Sequence, residues 1–441
     1  MLFSNKDIRK LIIPLIIEQM LEVSVGMLDT VMISYCGEAA VSGVSLVDMI
    51  NQILLALFAA LGTGGAVVVS QFMGADNISR AKQSARQLVD VAVVISVTVA
   101  ALAVLLRHPV LSVCFSGIEQ SVFDNALIYL VMSALSYPFI GLYNSLCAIF
   151  RAQGNSRTPM VLSLMMNIIN FCGNALTIYV LHWGVFGAAL ASLIGRAFAC
   201  LLALFLLFLP RLRINLAGGS FLPDRTLIRR ILYIGIPSGI ESSIFQLGRL
   251  FGVSIISGFG TFEIAANAVA NNLDSLGVMP GTAMQLAVIT IIGRCVGAHD
   301  FKQAKYYTRK LMIITYALTI VTCGLTVIFR STLFGFYSLS PETLALANKL
   351  VLIHDLAAMV LWPISFVLPN VFRSANDVKF PMVISIGSMV LFRNCLGFLI
   401  AHRIGQGCLG VWIAMIFDWC VRSGCFVWRY LSGRWMQFYK D

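Results

Sequence analysis

The 441-residue chain is 59% hydrophobic and only 12% charged, with a mean hydropathy of +0.88. That is too little polar surface to cover a soluble protein of this size, so the composition points to an all-α polytopic membrane protein. The net charge of +11 requires no nucleic-acid partner, because the basic residues gather at the edges of apolar runs, where anionic headgroups attract them.

Crossing roughly 30 Å of hydrocarbon takes about 20 helical residues. Twelve runs qualify, six per half: 11–35, 41–73, 87–106, 122–150, 159–181, 184–209, 231–258, 264–293, 311–337, 345–372, 381–401 and 407–428. The first carries Pro14, Glu18, Glu22 and Asp29; it is too long and too acidic for a cleavable leader and reads as a signal anchor. Asp48 lies near the start of the second run, and the fifth carries Asn167, Asn170 and Asn174. Between the halves, residues 211–230 contain Gly218-Gly219-Ser220 and Pro223-Asp224-Arg225 and read as a linker. Glu241, Asp274, Asp355 and Asp418 lie in the seventh, eighth, tenth and twelfth runs. The domain expectation is an N-terminal lobe over 1–210, the linker, and a C-terminal lobe with a short tail over 231–441.

The halves repeat at an offset of 222 to 223 residues. Pro14 and Glu18 recur as Pro237 and Glu241. Gly74-Ala75 and Ala81-Lys82 recur as Gly297-Ala298 and Ala304-Lys305. Arg151 to Pro159-Met160 recurs as Arg373 to Pro381-Met382, and Gly184 and Gly187 recur as Gly407 and Gly410. One shared offset across four ordered matches indicates duplication and fusion. With an even number of spans each, the halves form parallel repeats about an axis along the membrane normal. Of the Lys and Arg residues, 23 fall to the face holding both termini, 4 to the opposite face and 4 within helices (Arg196, Arg249, Arg393 and Arg422). The positive-inside rule therefore places both termini in the cytoplasm. The eleven Cys contain no CxxC pair and read as small core residues.

An ionised carboxylate at the bilayer centre costs at least about 2.5–3.5 kcal/mol on insertion scales, so intramembrane acids are candidate functional groups. Glu22 and Asp29, seven residues apart, share one face of the first helix, and Pro14 removes a backbone hydrogen bond where that helix can bend. Asn170 and Asn174 are one turn apart and point the same way. Amide oxygens beside a carboxylate suit Na⁺-like ions, and the same carboxylate can accept a proton; interhelical hydrogen bonding is the alternative use of these amides. Tyr137, Tyr143, Phe245, Phe251 and Trp362 are candidates for stacking on flat organic cations.

Asp29-Thr30-Val31-Met32, Ser70-Gln71 through Gly74-Ala75, Arg151-Ala152-Gln153-Gly154-Asn155 before Pro159-Met160, and Gly184-Val185-Phe186-Gly187-Ala188-Ala189 resemble the multidrug and toxic compound extrusion (MATE) family over essentially the whole chain. The resemblance implies a secondary active antiporter that exports organic compounds, often cationic and aromatic, while Na⁺ or H⁺ enters. It implies no enzyme activity and no cofactor beyond the coupling ion. It also implies a cation or proton site at Asp29, Asn170, Asn174 and Ser192, with Asp29, Asn170 and Asn174 as Na⁺ ligands if sodium couples transport. Some branches have aspartate at Asn174 and threonine is common at Ser192, which leaves Asp29 as the main ionisable member. Adding 223 takes these four to Gly252, Arg393, Gly397 and Met415, so the cluster exists in one half only.

Glu241 resembles the helix 7 acid of the NorM-like branch, implying a substrate or second cation site. Glu18 occupies its repeat-equivalent position, which suggests cavity exposure in both lobes; that branch also carries a helix 10 aspartate, whose place falls near Trp362 here, and Asp355, roughly two turns away, is the candidate for the same substrate or second cation site. Expected partners are small organic substrates and membrane lipids, with the protein acting as a monomer in the plasma membrane. An ATP-driven pump lacks its GxxxxGK[ST] loop, and a membrane enzyme lacks a nucleophile or metal cluster. The alternative function is a lipid-linked saccharide flippase of the same superfamily, for which a more basic cavity is expected than Arg249 and Arg393 alone provide.

Overall fold

The computed structural model describes residues 2–115, 119–219, 221–335, 337 and 339–439, and these contain helices and no strand. Twelve helices can be labelled in chain order: α1 (Asn5–Ser34), α2 (Glu38–Gly74), α3 (Ile78–Leu105), α4 (Gln120–Ala152), α5 (Arg157–Val180), α6 (Gly184–Phe208), α7 (Arg225–Ser257), α8 (Thr261–Gly297), α9 (Phe301–Phe334), α10 (Pro341–Ser374), α11 (Lys379–Arg403) and α12 (Gly407–Leu431). Eleven are long and apolar enough to cross a membrane. The remaining one, α7, has 33 residues, but Ser238, Glu241, Ser242, Ser243, Gln246 and Arg249 dilute its hydropathy. The chain is thus an all-α polytopic membrane protein of two repeated six-helix halves.

Several helices start well before their apolar runs. α3 begins at Ile78, where the Asn77 side chain accepts from the Arg80 N–H, and α9 begins at Phe301, where Asp300 accepts from the Gln303 N–H. These caps satisfy otherwise orphaned donors, so the basic segments wind as helix beyond the hydrocarbon. The two caps are themselves repeat equivalents. So are Gly37 and Gly260, whose φ values of 98° and 121° suit a residue without a Cβ at the entry to α2 and α8.

The helices divide into two compact units, one of residues 5–239 and one of 240–441 together with residues 1–4. In the first, α2 packs most extensively on α4, and α4 also meets α3 and α6. Small residues permit this closeness: a Cβ at Gly43 would come within 2.9 Å of the Val122 carbonyl oxygen. The connection between α6 and α7 is pinned to this unit. Arg86 donates from Nε to the Leu216 carbonyl at 3.2 Å and from Nη2 to the Ala217 carbonyl at 3.1 Å, and Gln153 exchanges two 3.0 Å bonds with the Ile214 backbone. In the second unit, α8, α9 and α10 pack on one another. The first residues dock onto α9 there: Tyr307 Oη accepts from the Phe3 N–H at 3.0 Å and donates to its carbonyl at 2.8 Å.

Candidate functional site

In the N-terminal unit, α5 and α6 approach closely because Gly173 and Gly195 carry no side chain; a Cβ on the first would meet Ala191 Cβ at 2.7 Å, and on the second the Met166 carbonyl at 2.9 Å. This approach brings Asn170 to Ser192. Oriented to satisfy its neighbours, the Asn170 amide accepts from Ser192 Oγ at 2.8 Å and donates to Asp29 Oδ1 at 2.7 Å and Oδ2 at 3.3 Å. Asn174 Nδ2 donates to Asp29 Oδ1 at 2.9 Å. The four residues singled out in the sequence therefore form one cluster across α1, α5 and α6. Asn174 is 1% exposed and its Oδ1 has no hydrogen-bond partner, which leaves a buried amide oxygen available to a ligand. Immediately after Asn174 the helix widens into π turns over Ala175–Val180, an irregularity frequent at functional positions.

A polar network missed in the sequence lies on the neighbouring helices. Tyr137 Oη donates to Asn51 Oδ1 at 2.7 Å, and Asn51 Nδ2 donates to Asp48 Oδ1 at 3.1 Å. Arg196, one turn beyond Ser192, donates to Ser136 Oγ at 2.6 Å and stands within Coulombic reach of both Asp29 and Asp48. The available signal is Arg196 itself, an arginine within a membrane-spanning run. Tyr137 and Tyr143 are buried and belong to the packing, not to a stacking surface.

Glu18 and Glu241 correct an expectation. In place of cavity exposure, both carboxylates are buried against repeat-related guanidinium groups: Glu18 Oε1 accepts from Arg151 Nη2 at 2.5 Å, and Glu241 Oε2 from Arg373 Nη2 at 2.6 Å. Burial without compensation would be prohibitive, and the arginines that mark the repeat in the sequence supply it. Asp355 is fully buried. With Asp274 it converges on one imidazole nitrogen, His354 Nδ1 lying 3.0 Å from Asp355 Oδ1 and 3.2 Å from Asp274 Oδ1, between the rings of Trp412 and Trp419. The adjacent His354-Asp355 pair is thus completed by a residue 80 positions upstream.

The C-terminal unit also holds intramembrane arginines. Gly248 lets α7 meet Met389 and Asn394 of α11, bringing Arg249 beside a π-helical stretch, Met389–Leu396, that contains Arg393. Arg393 and Arg422 both stand over the Phe245 ring, at 5.4 and 6.0 Å, and Arg422 lies 4.5 Å from the Phe366 centroid.

The MatE family model matches residues 14–176 and again 237–399, once in each half. The chain belongs to the MatE family. Relatives include "Uncharacterized transporter YisQ" of Bacillus subtilis, 28% identical across 96% of this chain and 93% of YisQ. "Probable multidrug resistance protein NorM" of Thermotoga maritima is 25% identical across 98% of this chain and 93% of NorM. A solved MOP superfamily transporter from Pyrococcus furiosus, described as having a reversed polarity of its binding pocket that suggests a different function, superposes with a TM-score of 0.90 at 20% identity, covering 99% of this chain and 97% of that one. At that identity the likeness speaks for the fold.

Proposed function

We propose that this MatE-family chain is a secondary active antiporter of the plasma membrane that exports organic compounds in exchange for Na⁺ or H⁺. Lobes 1–210 and 231–441, joined by 211–230, alternate access to the two sides, and both termini lie in the cytoplasm. The single observation that carries the reading is the Asp29 carboxylate held by the Asn170 and Asn174 amides beside the Ser192 hydroxyl. Two NH₂ groups donating to one carboxylate suit its ionised, unloaded form. Loading a proton cancels the charge they serve. Loading Na⁺ requires the amides to turn their oxygens inward, a rotation about a terminal torsion that is soft for Asn.

Either event rewrites the hydrogen bonds that tie α1 to α5 and α6. α1 contains Pro14, which lacks one backbone donor, so changed lateral contacts can alter its course. Exchange follows when ion and substrate stabilise different conformations, since a ligand with equal affinity for both shifts nothing. The names of YisQ and NorM, a transporter and a probable multidrug resistance protein, support the assignment.

The test is dye efflux from proteoliposomes loaded with rhodamine 6G or carboxyfluorescein, with Na⁺ and pH gradients imposed separately. One gradient should drive export in the wild type and neither in Asp29→Asn. Gradient-driven export retained in folded Asp29→Asn protein would overturn the assignment of the ion site.

A further inference from the structure

We propose that the C-terminal unit binds the acid group of the transported compound, so that the substrate is a flat organic anion or zwitterion and not a simple organic cation. The inference rests on the transporter reading above and adds the chemistry of the cargo. Three guanidinium groups gather here: Arg393 on α11 and Arg422 on α12 stand over the Phe245 ring of α7 at 5.4 and 6.0 Å, and Arg249, one turn beyond Phe245 on α7, is within Coulombic reach of Arg393. Arg373 does not count with them, because Glu241 neutralises it. The acid remaining near the trio is Asp418. Three cations against one carboxylate leave a formal excess of two positive charges.

Structural duty does not account for them. Among the described residues Arg249 and Arg393 make no ion pair or hydrogen bond, and Arg422 is 3% exposed with Nε and Nη1 lacking a protein partner, its Nη2 alone donating to the Ser365 carbonyl at 3.3 Å. Arg249 is exposed and Arg393 half-buried, although both belong to membrane-spanning helices. Arginine facing hydrocarbon costs several kcal/mol, so these groups must open on water. A buried guanidinium with two nitrogens unpartnered, near two more accessible ones, offers planar forks of donors suited to a carboxylate, sulfonate or phosphate. Beside them the half-buried rings of Phe366 and Phe245 meet edge-on at 5.8 Å, backed by the buried Trp362, which stacks on Phe366 at 5.0 Å and 26°. Rings next to the forks fit an aromatic body attached to the acid.

The duplication sharpens the contrast. Arg393 is the repeat equivalent of Asn170, and Arg249 stands one turn before Gly252, the equivalent of Asp29. Where one half presents a carboxylate and amides, the other presents guanidinium groups.

Equilibrium binding tests this without any ion gradient, so its failure is separable from failure of the antiport reading. Carboxyfluorescein and rhodamine 6G share a xanthene core and differ in charge. Fluorescence anisotropy with the purified full chain should show carboxyfluorescein binding that weakens at least tenfold in Arg393→Gln and in Arg249→Gln, weakens less in Arg393→Lys, which keeps the charge but not the fork, and leaves rhodamine 6G no weaker. Thermal melting confirms that each variant is folded. Competition by 1-naphthoate would mark a soluble aromatic acid as the source of the anion, and competition by farnesyl diphosphate a prenyl phosphate; both uphold the anion site. Absence of carboxyfluorescein binding to wild type, or affinity unchanged in the folded glutamine variants, overturns it.

Discussion

Removing either partner of the Glu18–Arg151 pair should destabilise the protein far more than removing both. The two charges meet at 2.5 Å with side chains 7% and 15% exposed, so solvent screens them little. Stripping one partner from a buried pair costs about 3–5 kcal/mol, whereas replacing the whole pair by neutral groups of similar volume is often close to neutral. Glu18→Gln and Arg151→Met should therefore each cost about 3 kcal/mol or more, and the double variant should recover at least about 2 kcal/mol relative to their sum, within the range of couplings found for contacting residues. The repeat-related Glu241→Gln and Arg373→Met should behave likewise, since that pair is equally enclosed at 10% and 13%. The assay is chemical unfolding of purified protein in detergent, scored as a double-mutant cycle. Additivity within about 0.5 kcal/mol would refute the reasoning and return both carboxylates to the pool of ion- or substrate-binding groups.

His354→Leu would leave Asp274 and Asp355 facing each other without the imidazole between them, so little folded protein is expected, and adding Asp274→Asn should restore yield in size-exclusion chromatography. Gly64→Ala should cost about 1–3 kcal/mol, because its Cβ would reach the Ile231 carbonyl oxygen at 2.7 Å and the Gly235 nitrogen at 2.8 Å, backbone atoms that cannot turn aside; thermal melting checks it. Arg86→Ala frees the Leu216 and Ala217 carbonyls, so trypsin should cut after Arg211 or Arg213 several times faster. Asp300 caps α9 beyond the membrane, and the Gln303 N–H groups it accepts hold its carboxyl below the ordinary aspartate range. A depressed folded pKa contributes stability above the unfolded value of about 3.9 that is lost as pH falls through the folded one. Asp300→Asn, which keeps an acceptor for the cap, should therefore melt below wild type at pH 7 and converge with it near pH 3.

The fold was legible because it rests on two periodic signals: spans of apolar residues and a constant repeat offset. Helix ends were less legible, since Asn77 and Asp300 start α3 and α9 in polar sequence where hydropathy is silent. The Asp29 cluster could be assembled because Asn170 and Asn174 sit one turn apart, a local spacing, and the resemblance supplied the other two members. The Asp274–His354–Asp355 group and the guanidinium trio draw on helices widely separated in sequence, and no spacing rule joins such residues. Glu18 and Glu241 were visible along with their eventual partners, yet Arg151 and Arg373 read as markers of duplication and not as counter-ions.

Duplication explains why the two halves can carry opposite charge on one scaffold. The positions that fix packing, such as the glutamate–arginine pairs and the capped turns, recur in both halves because each half must fold by the same contacts. The positions on the polar face of α5 and α11 are freed from that demand, and there Asn170 and Arg393 diverge while both helices keep a π-helical irregularity nearby. An exchanger needs two ligands that favour different states. On the antiport and anion-site proposals, a carboxylate in one half and guanidinium groups in the other would give a cation and an organic acid separate places to act, each shifting the same conformational equilibrium without competing for the same atoms.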